Sequence, residues 1–162
     1  MKRFDIKQTR EMGGHIYFVR PFGGWKSANL SGEIFALLTP ILASVAPLVS
    51  GGVNGQGELS LLDIEAEKAA PVIANAMSSL SGDKVETLLR KLLVQYQNIS
   101  VQLEGRNDAE ILTADLADEL FCGETQDMFI LVYDVIKANY SSFFKRLSGQ
   151  FGSLLNGLLA KA

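Results

Sequence analysis

The stretch "MFILVYDVIKANYSSFF", residues 128–144, constrains the fold more than any other part of the chain. From Gln126 to Leu147 apolar residues follow one another almost without a break, including Met128, Phe129, Ile130, Leu131, Val132, Tyr133, Val135 and Ile136. The run is longer than an ordinary strand and apolar nearly all round, which predicts a buried helix at the centre of the core. Just ahead of it, "DELFCGETQDMFILV" (118–132) reads as a helix-to-helix corner. Thr113 or Asp115 begins a short helix ending near Cys122, Gly123 is its natural C′ residue, and Thr125 caps the long helix. Cys122 is expected to pack in this corner as a small, poorly accessible side chain, because free cysteine is among the most buried residue types.

Other helices are predicted by three-and-four spacing. Leu30, Ile34, Leu37, Leu38, Ile41, Leu42 and Val45 predict one from Ser27 to Leu48, with Ser27 or Asn29 as N-cap and a kink at Pro40. A second is expected from Leu61 to about Leu80, capped by Ser60 and bent or broken at Pro71. In "SGDKVETLLRKLLVQYQ" Asp83 can cap, and Val85, Leu88, Leu89, Leu92, Leu93 and Tyr96 form one stripe. The N-terminus predicts a β-hairpin. Phe4 and Ile6 alternate with polar neighbours, "REMGG" supplies the turn, and "HIYFVRPF" is a second strand ended by Pro21. "NISVQLEG" alternates as a short strand within reach of the hairpin. The expected fold is therefore mainly α: a helical bundle with a small N-terminal β-hairpin and room for a third short strand near 98–103.

With 162 residues the chain is expected to form a single domain. Its parts are a hairpin and loop (1–24), a flexible glycine-rich loop (51–58) and an amphipathic tail (148–162). The net charge of −3 and the lack of a long basic run speak against nucleic acid as a partner. No apolar h-region comes after the charged N-terminus, and no uninterrupted apolar run approaches the roughly 20 residues of a membrane span, so neither a secretory signal nor a membrane is expected. One cysteine and one histidine supply neither a disulfide nor a zinc ligand set.

No catalytic constellation stands out. Cys122 and His15 lie in no motif that marks a nucleophile and its base. "GGVNGQG" lacks the Lys-Ser/Thr ending of a phosphate loop. The acids Asp115, Asp118, Glu119, Glu124 and Asp127 lack calcium-loop spacing and occupy positions where helix N-termini attract carboxylates. "NIS" at Asn98 matches a glycosylation acceptor but carries no weight without a secretion signal. No cofactor and no metal are implied.

The C-terminal "RLSGQFGSLLNGLLAKA" continues an apolar stripe through Phe151, Leu154, Leu155, Leu158 and Leu159. Gly149, Gly152 and Gly157 interrupt it, and an interior glycine costs a helix about 1 kcal/mol against alanine, so the tail is a poor helix by itself. Its readings are a last core helix, a partner-binding helix, or, least favoured, a membrane-surface helix, which would carry a more basic polar face.

Five blocks carry a resemblance. "YFVRPFGGWKSANLSGEIFALLTPIL", "SLSGDKVETLLRKLL", "QNISVQ", "ADELFCGETQDMFILVYDVIKANYSSFF" and "GQFGSLL", in this order, are similar to a family of tail assembly chaperones from long-tailed bacteriophages. The similarity covers nearly the whole chain outside 51–57 and includes no catalytic motif. It implies a non-enzymatic factor in the host bacterial cytoplasm that binds the tape measure protein, keeps it soluble, helps recruit tail tube protein subunits and is absent from the mature virion. Self-association along the tape measure is a further expectation, and Phe151, Leu154, Leu155, Leu158 and Leu159 are its candidate partner-binding residues. The competing expectations are a tail-completion or connector protein retained in the particle, and a small enzyme using Cys122.

Overall fold

The computed structural model describes residues 4–36 and 65–159, with 143–159 described as backbone only. The hairpin is present but shifted. β1 (Gln8–Met12) and β2 (His15–Val19) pair antiparallel, with Met12 opposite His15. Only Gly13 and Gly14 separate them, at φ +60° and +78°, the left-handed pair that a two-residue hairpin turn needs. Arg10, Glu11 and Met12, expected in the turn, therefore belong to the strand, and Phe4 and Ile6 precede it, exposed.

Two further strands overturn the mainly α expectation. β3 (Ile99–Gln102) pairs with β2, and β4 (Ala109–Ile111) pairs with β3, giving a four-stranded antiparallel sheet in the order β1-β2-β3-β4. The architecture is a mixed α and β one rather than a bundle with an appended hairpin. An isolated hairpin buries too little to be stable, and the extra strands supply the apolar face it lacks. On that face Tyr17 lies opposite Val101 and Val19 opposite Ile99, all four fully or almost fully buried.

Helices cover this face. α1 is helical over 24–36 and buries Leu30 and Ile34. It starts earlier than expected, since Ser27 N–H already donates to Gly23 O (2.9 Å), which leaves neither Ser27 nor Asn29 as the cap. Its expected extension to Leu48, Pro40, the glycine loop and the Ser60 cap lie outside the described residues. α2 (Ala66–Met77) runs through Pro71 without the expected break. Pro71 and Glu67, whose carbonyl would have paired with the missing N–H, both sit on the exposed face, where solvent can serve that carbonyl. α3 (Gly82–Arg90) comes after Ser81, with Asp83 inside its first turn, and continues as a π-helical turn over Lys91–Gln95. Leu88, Leu92 and Leu93 of the expected stripe are buried.

α4 (Ala114–Leu120) is capped by Thr113, whose hydroxyl accepts from Leu116 N–H at 3.3 Å. α5 (Thr125–Leu159) has 35 residues, so it is roughly 52 Å long at about 1.5 Å per residue. It includes Thr125, and the capping place falls to Glu124, whose carbonyl accepts from Asp127 N–H. Ile130 to Ile136 are all buried, as expected of the central element. α5 packs on α2, on β1 and β2, and on the π-helical turn. Its backbone is helical through Gly149, Gly152 and Gly157 as the continuation of α5.

Candidate interaction surfaces

One cross-strand row organises the sheet's core face. Arg10, Tyr17, Val101 and Glu110 are successive register partners, so the row is charged at its edges and apolar in its middle. Arg10 points from edge strand β1 toward α5 and grips Asp134 with two bonds, Nε to Oδ2 at 2.7 Å and Nη2 to Oδ1 at 2.8 Å. Its Nη1 also reaches Glu67 of α2 at 3.2 Å. Asp134 is 0% exposed, inside what the sequence presents as an apolar run. The hydrogen bond to Asp134, and then the charges of Asp134 and Glu67, outweigh burial and raise the Arg10 pKa further, so this guanidinium stays charged. A buried fork-to-fork pair of this kind fixes orientation more than it adds net stability. It locks hairpin, α2 and α5 into one arrangement.

Tyr17 sits beside that pair in the row and stacks on Phe121 at 6.0 Å between centroids. Burial, with a smaller contribution from the charge of Asp127, pushes its phenol up to about 12 from an ordinary 10.0. The folded state holds the Tyr17 proton more tightly than the unfolded chain does. That stability is fully present below pH 10.0 and is lost as pH climbs toward about 12. Far-UV circular dichroism against pH should show an alkaline transition in this window, and Tyr17→Phe should move it to higher pH.

The corner at 118–127 departs from expectation at its central residue. Phe121 takes the buried position after α4, and Cys122 is exposed. Gly123, at φ +80°, turns the chain into α5 as expected. The reversal has a simple origin: the larger ring fills the single inward site against Tyr17, and the next residue must face out. The thiol should therefore react with a thiol reagent in the native protein without prior unfolding. Protection until unfolding would contradict this geometry. His15 lies beside the hairpin turn, half-buried, and its Nδ1 accepts from Glu104 N–H at 3.0 Å. No hydrogen bond joins it to Cys122, and the structure gives the two no shared chemistry. Among the described residues no group of His, Cys, Asp and Glu could hold a metal ion, and no helix is long and apolar enough to cross a membrane.

Asn98 is 4% exposed, too enclosed to accept a glycan, and its amide has no hydrogen-bond partner in the protein. It comes directly after Gln97, whose φ of +52° is the one positive value outside glycine among the described residues. The two mark the reversal from the π-helical turn into β3.

The surfaces that invite contact are apolar. Trp25, in the first turn of α1, is 92% exposed. A groove of about 490 Å³ runs between the end of α2, the α3 and π-turn segment, and the start of α5. Met77, Val85, Leu89, Leu93, Met128 and Phe129 form its apolar floor, and Glu86, Arg90 and Asp118 stand at its edge. Sequence reasoning missed this groove, because its lining residues read as parts of three separate core stripes. The positions 151–159 singled out in the tail lie on the α5 backbone, and their side chains lie outside the described set.

Taken together, these features define a small mixed α and β fold that carries an exposed tryptophan and an open groove lined largely by apolar side chains. A family model of phage tail assembly chaperone proteins (TAC) matches residues 13–152, most of the chain. The chain belongs to that family. No curated protein and no solved structure matches it.

Proposed function

We propose that this protein is a non-enzymatic assembly factor that binds the tape measure protein, keeps it soluble, and helps recruit tail tube subunits in the host cytoplasm before it is released. The family match over residues 13–152 carries the reading. Physical support comes from the surface. A long helical client exposes apolar faces, and an exposed tryptophan with an open apolar groove offers the anchors and pockets that dominate binding energy at such contacts. The stripe Phe151, Leu154, Leu155, Leu158 and Leu159 is proposed as a further binding face.

The test is co-purification of the tape measure protein with the full chain and with a chain lacking residues 148–162. The full chain should retain it. A folded truncation that retains it equally well would remove the tail from the binding surface. Mass spectrometry of purified particles addresses the competing role: a chaperone is absent from them, and a tail-completion or connector protein stays.

A further inference from the structure

Three large apolar side chains that stand exposed, Phe4, Ile6 and Trp25, flank one end of the sheet, where β1 starts and β2 ends. The backbone fixes this placement. Lys7 N–H donates to Val19 O at 2.8 Å, so residues 4–7 lead in beside the last residue of β2, and residues 20–25 lead out from it into α1. The exit is firmly seated: Phe22 meets Tyr96 edge to face at 5.5 Å, and its N–H donates to Asn139 Oδ1 at 2.7 Å. Trp25 therefore stands in solvent on a well-held base, with no packing return for its exposure.

The same end is basic. Residues 1–26 hold six of the fifteen basic residues and two of the eighteen acids, although the whole chain carries a net charge of −3. Lys7 and Lys26 are exposed, Arg20 is half-buried, and Asp5 is the one acid within 4–7 and 20–26. Arg20 Nη2 donates to the neutral hydroxyl of Ser100, and Lys26 Nζ lies 5.0 Å above the Tyr96 ring. Among the described residues none of these three cations pairs with a carboxylate, whereas Arg10, Lys68, Arg90, Lys91 and Arg106 each do. A partner that covers Trp25 takes water from neighbouring cations, and carboxylates offset that cost where an apolar or basic surface does not. A nucleic acid or an anionic membrane fits less well. Either extends beyond this end onto residues 27–162, where sixteen acids oppose nine basic residues, while a short segment stays within a Debye length of the basic end.

We propose that the end of the sheet bearing Ile6, Lys7, Arg20, Trp25 and Lys26 binds a short acidic segment of a partner protein. The segment sets a large apolar side chain against Trp25 and carboxylates against the three cations. The inference builds on the reading of Trp25 as a contact anchor and names the chemistry of what it anchors. It holds whether or not that segment belongs to the tape measure protein, and the groove takes no part in it.

Trp25 is the only tryptophan, so fluorescence of the full chain reports this surface directly. Titration with a short glutamate-rich peptide carrying one central leucine should shift the emission to the blue and saturate, and added salt should weaken the binding. A peptide with lysine in place of glutamate should leave the emission unchanged. Lys7→Glu with Lys26→Glu alters only exposed side chains, should keep the melting curve, and should weaken binding of the acidic peptide roughly tenfold or more. Trp25→Ala, followed by calorimetry, should lose a similar factor. No shift with the acidic peptide, an equal shift with the lysine peptide, or a charge variant that binds like wild type would each overturn the inference. So would a shift produced by oligothymidylate or by phosphatidylglycerol vesicles and not by the acidic peptide, which would assign the surface to another polyanion. Co-purification of the tape measure protein with wild type is read separately: if it fails while the acidic peptide binds, the chaperone role alone is removed.

Discussion

Arg10→Ala should lower stability by about 3 kcal/mol, near the low end for breaking a buried ion pair, because the guanidinium is partly solvated and Asp134 is not. The cost comes from the carboxylate left behind. Asp134 would be left in a closed interior with both oxygens deprived of their donors. Arg10→Lys should recover only part of the loss, since an ammonium cannot supply two parallel bonds. Arg10→Met combined with Asp134→Leu should be much less harmful than Arg10→Ala alone, because it removes the desolvated charge with its partner. Urea denaturation of the three variants decides the matter. If the double variant is as unstable as the sum of its parts, the pair is not the source of the effect.

Leu131→Ala should cost about 2–5 kcal/mol, the range for deleting a fully enclosed leucine side chain. Leu131 is 0% exposed on α5, the helix that touches α2, the sheet and the π-helical turn together, so no single neighbour can move to fill the space. The spread in that range reflects how far a site collapses, and a site held from several sides belongs toward its upper part. Val72→Ala, on the outward side of α2, should change stability by less than about 0.5 kcal/mol. Urea midpoints should fall for Leu131→Ala with an unchanged slope.

Much of this architecture is legible in residue spacing, and its limits have physical causes. The buried helix is plain from Met128 to Ile136 because no surface helix could carry such a run. β3 is visible as well, since Ile99 and Val101 alternate with Ser100 and Gln102. β4 is invisible: its three residues are all exposed, so they carry no burial pattern, and they are fixed only by backbone pairing with β3. Without β4, and with β3 left as an optional addition, the sheet reads as a hairpin and the fold as a bundle. The Arg10–Asp134 pair is hidden for another reason. An acid inside an apolar run predicts a partner, but nothing local says that the partner lies 124 residues earlier on an edge strand. At the 118–127 corner the sequence offers Phe121 and Cys122 as neighbours competing for one inward site. A statistical preference for burying cysteine does not decide that contest, and ring size does. The groove is legible only in three dimensions, because its walls come from segments that are apolar for ordinary packing reasons.

The pairing of β2 with β3 bears on the life of the chain before it is complete. Val19 lies opposite Ile99 and Arg10 meets Asp134, so both the sheet and its clamp join residues 80 or more positions apart. Contacts this distant form late, because the intervening loop must be closed before they contribute anything. During synthesis the hairpin emerges first and has no apolar face to rest on until β3 and the first half of α5 have emerged behind it. The hairpin is thus committed to waiting. A ribosome stalled before residue 134 should carry a protease-sensitive nascent chain, and one stalled after α5 has cleared the exit tunnel should carry a protected one.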